Sequence, residues 1–161
     1  MGIAAKFLQL DRRDRALAMA AARALASTWI GLHTVGFRSV SRKSSRVAGQ
    51  GANNAHSWCG PPPKWSVARP TVERVAWAVR AASTVIPGAS NCLVRALATQ
   101  AMLGRYGYSS DLRIGARKAA PGALAAHAWL EHAGTVVIGE VELDNYVPLT
   151  PPGTNRSGSP A

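Results

Sequence analysis

The sequence predicts an α+β fold in which helices are followed by a small antiparallel sheet. Residues 11–30 and 71–86 repeat apolar side chains at helical spacing, and a third helical pattern begins at residue 90 or 91 and ends between 104 and 107. After Gly107 the spacing changes to the two-residue alternation of strands. Helices followed by strands along one chain are typical of the α+β class.

Length and composition predict one folded, water-soluble domain. A chain of 161 residues with 47% hydrophobic residues is long enough for a core of its own. Its two cysteines, Cys59 and Cys92, provide no disulfide framework, which is typical of a reducing compartment. No secretory signal pattern is visible at the start, and Arg23 interrupts the apolar stretch 16–32, which is a poor membrane span. We therefore expect a cytoplasmic protein.

The net charge of +11 is concentrated in the first part of the chain. Residues 1–70 contain eleven Lys and Arg against two acidic residues, and the remaining residues contain eight against six. A basic segment can bind nucleic acid, anionic lipid or an acidic protein. The aromatic residues do not alternate with the basic ones as base-stacking platforms would. We therefore favour a solvated or protein-facing surface and expect no nucleic-acid partner.

Composition divides the chain into four segments. Residues 1–48 are expected to form a basic N-terminal helical region, and residues 49–70 a linker rich in Gly and Pro. Residues 71–150 carry the core, and residues 151–161 are expected to form a flexible tail.

The two helices of the core have recognisable ends. Thr71 is a suitable N-cap for the first, and Pro87–Gly88 is expected to end it. Ser90 or Asn91 is a suitable N-cap for the second, so Cys92 is expected in its first turn. Free N–H groups and the helix dipole stabilise negative charge there, and a thiolate is the reactive form of cysteine. Cys92 is therefore the candidate nucleophile, although a free cysteine is as often a small buried core residue.

The strand patterns predict three short strands. The first holds Leu112 and Ile114 and is followed by a loop over residues 115–122. Residues 126–132 and 135–140 are expected to form the other two strands, joined by a hairpin turn at Ala133–Gly134.

A cysteine nucleophile needs a base, and the predicted strands favour His127 among the four histidines. His33 and His56 lie near or within the irregular region, where a fixed geometry is hard to hold, and His132 precedes the hairpin turn. His56 and Cys59 suggest half of a zinc site, but no second ligand pair follows, so no metal is expected. A lone histidine in a strand is more often a packed residue than a catalyst, and Cys92 upstream favours the catalytic interpretation of His127.

The candidates for the third catalytic residue follow the turn. A two-residue turn would place Glu140 directly opposite His127, with Cβ atoms about 4.5–5.5 Å apart. A turn one residue longer would place Gly139 there, and Glu140 would then need a bulge to reach His127. Glu142 and Asp144 are the further alternatives. A carboxylate in this position would orient the imidazole and stabilise its cation.

Four motifs resemble those of a known family in the same order. They are Asn91-Cys92-Leu93-Val94-Arg95-Ala96-Leu97-Ala98, Leu103-Gly104-Arg105-Tyr106-Gly107-Tyr108, Leu112-Arg113-Ile114-Gly115-Ala116-Arg117 and Ala126-His127-Ala128-Trp129-Leu130-Glu131. Together they are similar to the leader peptidases of lasso-peptide biosynthesis, which are transglutaminase-like cysteine proteases. The resemblance covers about residues 71–149 well and residues 5–46 loosely.

The resemblance implies a transglutaminase-like (papain-like) core, with the nucleophile helix packed on the sheet and an added N-terminal helical region. It also implies a triad of Cys92, His127 and a carboxylate, which is an aspartate in the family and Glu140 in this chain. The substrate would be a ribosomally made precursor peptide, and no cofactor is expected. Because residues 1–70 lack the strands of a fused leader-recognition domain, the resemblance implies a separate leader-recognition protein and an ATP-dependent lasso cyclase as partners.

Two other functions fit the same sequence. The fold could form or hydrolyse a different amide, since fold does not fix the reaction. Alternatively, the chain is a non-catalytic scaffold that presents a basic surface to partners, with Cys92 and His127 as packing residues. Rapid alkylation of Cys92 relative to Cys59 would distinguish an enzyme from the scaffold.

Overall fold

The computed structural model describes residues 10–34, 69–120, 122–140 and 143–149. Three helices lie in these ranges: α1 (Arg12–Thr34), α2 (Val72–Ser83) and α3 (Cys92–Arg105). Four strands follow: β1 (Asp111–Ala120), β2 (Ala123–His132), β3 (Thr135–Ile138) and β4 (Val147–Pro148). A short 3-10 helix, Leu143–Asn145, precedes β4. Helices followed by an antiparallel sheet confirm the α+β class.

The three helices bury one shared apolar core. Small residues on α1, among them Ala21 and Ala24, let the helix approach α2 and α3 closely, while Leu25 fills the space between them.

Thr71 is the N-cap of α2, as predicted, and its side chain accepts a hydrogen bond from the Arg74 N–H. The Glu73 N–H and the Thr71 hydroxyl lower the pKa of the exposed Glu73 carboxyl in the same turn.

The sheet has the order β3-β2-β1-β4 and is antiparallel at each pairing. One face carries Leu112 and Leu130, which join the helical core, and Leu130 is fully buried. The other face carries His127 and Trp129, since side chains alternate along a strand. Helix α3 packs against β2, so the sheet and the Cys92 helix form two contacting layers.

Several predicted element ends are confirmed and one predicted loop is wrong. Ala133–Gly134 forms the turn between β2 and β3, with positive φ at both residues, and His132 pairs with Thr135. Residues 115–120 belong to β1 and pair with β2, so the loop expected over residues 115–122 is shortened to a hairpin tip. Alanine-rich sequence has little strand preference of its own, and the pairing with β2 extends the strand here.

Some predictions lie outside the described residues. These are most of the linker at 49–70, the tail at 151–161, and the residues Cys59, His56 and Glu142. Within the described ranges, none of the helices combines the length and the apolar character that crossing a membrane requires.

Candidate active site

Cys92 is the first residue of α3, as predicted. Asn91 is the N-cap: its side-chain oxygen accepts a hydrogen bond of 2.9 Å from the Leu93 N–H, and its carbonyl accepts one of 3.0 Å from the Arg95 N–H. The cap fixes the first turn, and the Cys92 side chain is partly exposed. A partly exposed thiol at a capped helix start can be reached by a substrate.

Cys92 and His127 lie on two elements that pack against each other, α3 and β2. The Gln100 side chain donates a hydrogen bond to the Ser110 carbonyl, next to the point where β1 pairs with Glu131. From there, eight helical residues, about 12 Å, lead back to Cys92. Four strand residues, about 13 Å, lead from Glu131 back to His127. Within the described part of the chain, no hydrogen bond joins the two side chains, and the His127 side chain lies on the sheet face opposite the one that packs on the helices.

A backbone carbonyl fixes the His127 ring. Its Nε2 lies 2.8 Å from the carbonyl oxygen of Gly139. A carbonyl can only accept, so Nε2 must carry the hydrogen and donate it. In the neutral ring the hydrogen on Nε2 leaves Nδ1 as a lone-pair acceptor, which is the state that a general base requires.

Two aromatic side chains restrict the same ring. The Trp129 ring is stacked with His127 at a centroid distance of 6.4 Å, and the Tyr146 ring lies tilted at 5.4 Å. Gly115 pairs with His127 across the strands, and a Cβ on Gly115 would lie 3.0 Å from both Trp129 and Tyr146 side-chain atoms. The glycine therefore leaves the space in which both aromatic rings pack beside His127.

Further contacts anchor these aromatic residues. Trp129 is almost fully buried and donates a hydrogen bond of 2.9 Å from its indole N–H to Glu131. Arg113 forms an ion pair of 3.0 Å with the other oxygen of that carboxylate. Arg117 donates to the Tyr146 hydroxyl at 3.1 Å. The His127 ring thus packs against a sheet face whose side chains are held by their own polar contacts.

The predicted direct pairing of His127 with Glu140 is wrong. A bulge shifts the register between Leu130 and Glu131, and the β2–β3 ladder ends at the pair Leu130–Ile138. The Glu140 carboxylate instead forms an ion pair with Arg80 on α2. Its role as the third catalytic residue stays a prediction.

The other candidates are placed as follows. Asp144 lies exposed in the 3-10 helix, two residues before Tyr146. His33 and His132 each contact a backbone carbonyl through Nδ1, that of Trp29 and that of Ser109. Among the described residues, no three His, Cys, Asp or Glu side chains form a group that could hold a metal ion.

The arrangement provides a thiol at a helix start and an imidazole with a fixed tautomer on the adjacent strand. These are the parts that acyl transfer through a cysteine requires.

The sequence did not indicate that the Gly139 carbonyl or Arg80 belongs to the site, because a backbone acceptor has no residue type of its own and Arg80 lies on an earlier helix. The sequence pointed to Gly139 only through the longer turn, which would place it opposite His127.

The cap of α3 gives a test of how the helix start acts on the thiol. Asn91→Ala removes the acceptor of the Leu93 N–H and is expected to lower the free energy of unfolding by about 1 kcal/mol. It should also slow alkylation of Cys92 by iodoacetamide, because a frayed first turn stabilises the thiolate less. Thr71→Ala removes the corresponding cap of α2 and should cost similar stability while leaving the alkylation rate unchanged. Equal rates in both variants would show that the cap does not act on the thiol.

Comparison with known families and proteins gave one match. A family model described as the transglutaminase-like superfamily matches residues 31–150, a range that contains both Cys92 and His127. Searches of curated proteins and of solved structures gave no significant match.

Proposed function

Because this chain belongs to the transglutaminase-like superfamily, we propose that it is a cysteine peptidase with Cys92 as the nucleophile and His127 as the general base. One observation carries the proposal. The hydrogen bond from His127 Nε2 to the Gly139 carbonyl leaves Nδ1 free to accept a proton, on a strand that packs against the Cys92 helix.

The reaction proceeds by acyl transfer. Nδ1 of His127 takes the thiol proton, and the Cys92 sulfur attacks the carbonyl carbon of the scissile peptide bond. The C–N bond breaks as the same proton passes from His127 to the leaving amine, and a thioester remains on Cys92. A water molecule, deprotonated by His127, then hydrolyses the thioester and restores the thiol. The Cys92 backbone N–H is suited to stabilise the oxyanion of both steps, since it lies at the positive end of α3.

In this proposal, two groups orient the His127 ring. The Gly139 carbonyl accepts the Nε2–H, and the neighbouring Glu140 supplies a carboxylate whose charge favours the imidazolium formed during attack. Ion pairing with Arg80 reduces that charge, so we assign the larger part of the orientation to the carbonyl.

The substrate that we propose is a lasso-peptide precursor, from which the enzyme removes the leader peptide. The support is the resemblance of the motifs around Cys92 and His127 to the leader peptidases of that biosynthesis. A separate leader-recognition protein would deliver the precursor, and an ATP-dependent lasso cyclase would close the ring. We place the reaction in the cytoplasm and assign it to the segment 71–150, with residues 1–48 as an accessory basic region.

The test is incubation of the wild-type protein with a precursor and its leader-recognition protein, followed by mass spectrometry. The expected products are the intact leader and the core peptide, and prior treatment with iodoacetamide should prevent their release. Acyl-enzyme trapped at low pH should add the mass of the leader to the peptide that contains Cys92. Absence of cleavage with a competent precursor would favour the scaffold function, in which the basic surface only assembles partners.

A further inference from the structure

The segment that holds the His127 ring is itself attached to helix α2. Strand β3 ends at Ile138, so Gly139 and Glu140 lie beyond the last β2–β3 ladder pair. Gly139 has a φ of +91°, in the left-handed region that favours glycine, and no ladder hydrogen bond to β2 fixes its carbonyl. A carbonyl that must orient a catalytic ring therefore needs an anchor outside the sheet.

Arg80 provides contacts on both sides of Gly139. Its guanidinium donates a hydrogen bond of 2.8 Å to the Val137 carbonyl and forms an ion pair with the Glu140 carboxylate. Gly139 thus lies within a four-residue segment whose two ends are held by one planar group. Arginine suits this task because its several N–H groups have fixed relative directions.

We propose that Arg80 is a positioning residue for the peptidase reaction, which acts on His127 through Val137, Glu140 and the Gly139 carbonyl. The role concerns geometry and not global stability. The Arg80 and Glu140 side chains are 41% and 52% exposed, and ion pairs with this exposure contribute little to folding. Loss of the anchor should therefore release the Gly139 carbonyl and leave the fold intact.

The ring nitrogens of His127 report this positioning directly. In long-range ¹H–¹⁵N correlation spectra of the ¹⁵N-labelled protein, wild-type His127 should show one neutral tautomer, with hydrogen on Nε2. The signal is assigned by its disappearance in His127→Asn. Arg80→Ala should give a mixture of tautomers, and Arg80→Lys should restore part of the wild-type state because it keeps one donor. Arg74→Ala removes the matched ion pair of α2, with Asp14 on α1, and should leave the His127 signal unchanged.

The kinetic part of the test rests on the proposed peptidase function. Misplacement of a catalytic group by about 1 Å can cost about 100-fold in rate, so Arg80→Ala should lower kcat by between about 10- and 100-fold with a small change in KM. Arg74→Ala should retain the wild-type kcat. If the wild-type protein cleaves no precursor, the proposed function fails, while the tautomer measurement still decides the role of Arg80.

Two results would overturn the proposal. One is an unchanged single tautomer in Arg80→Ala. In that case His127 keeps its orientation without the Arg80 anchor, whether the Gly139 carbonyl or the freed Glu140 carboxylate accepts the Nε2–H. The other is an equal loss of kcat in Arg80→Ala and Arg74→Ala, which would indicate a general effect on α2. If Arg80→Ala does not fold, the same measurements are made on Glu140→Gln and Arg80→Lys. A wild-type tautomer and a wild-type rate in both of these variants would likewise reject the positioning role of Arg80.

Discussion

Replacement of Cys92 by alanine is expected to abolish leader release, with a loss of at least about 10⁴-fold in kcat. The thiol forms the covalent intermediate, and neither His127 nor the helix dipole can replace it as a nucleophile. Alanine is a good helix former and removes only one partly exposed sulfur atom, so α3 and its Asn91 cap should remain. The measurement is precursor cleavage followed by mass spectrometry, with circular dichroism to verify the fold.

Cys59→Ala is the matched control, because it removes the other cysteine of the chain. It should cleave the precursor at the wild-type rate and show the same rapid alkylation of the remaining thiol. Equal cleavage by Cys92→Ala and the wild type would reject the assignment of Cys92. If both variants lost activity equally, the thiols would have a structural role, and the scaffold function would be favoured.

Local signals account for the parts of the site that the sequence predicted. Asn91 has the side chain of an N-cap, and Ala133–Gly134 forms the expected turn, so Cys92 and His127 could be assigned to a helix start and a strand. Both assignments depend on residues within a few positions of the element they define. Motifs of this kind can be recognised from one sequence because the chain contacts itself locally.

The remaining parts of the site depend on contacts between distant segments. The bulge opposite Leu130 changes which residue faces His127, and no residue type marks it. Arg80 reaches Val137 across more than fifty residues, and β1 extends to Ala120 because β2 pairs with it. The register was therefore predicted correctly at His132 and Thr135, next to the turn, and incorrectly beyond the bulge.

Gly139→Ala is expected to impair both the fold and the reaction. A Cβ at this position would lie 2.8 Å from the Ala128 carbonyl oxygen and 2.9 Å from the Trp129 Cα, which are backbone atoms that cannot rotate away. The φ of +91° is also unfavourable for alanine. Together the strain and the overpacking should lower the free energy of unfolding by about 2–5 kcal/mol. The fraction that stays folded should cleave the precursor about 100-fold more slowly, since the carbonyl that orients His127 is displaced.

Gly134→Ala separates backbone strain from these local contacts. Gly134 also has a positive φ, of 78°, but an added Cβ there meets no atom within 4 Å. This variant should lose about 1–2 kcal/mol of stability and keep its kcat, because Gly134 lies beyond the end of β2, seven residues from His127 along the chain. Urea unfolding and single-turnover cleavage measure the two quantities independently. Equal kcat values for the two alanine variants would mean that the Gly139 carbonyl does not orient His127, and Glu140 would then become the primary candidate for the third catalytic residue.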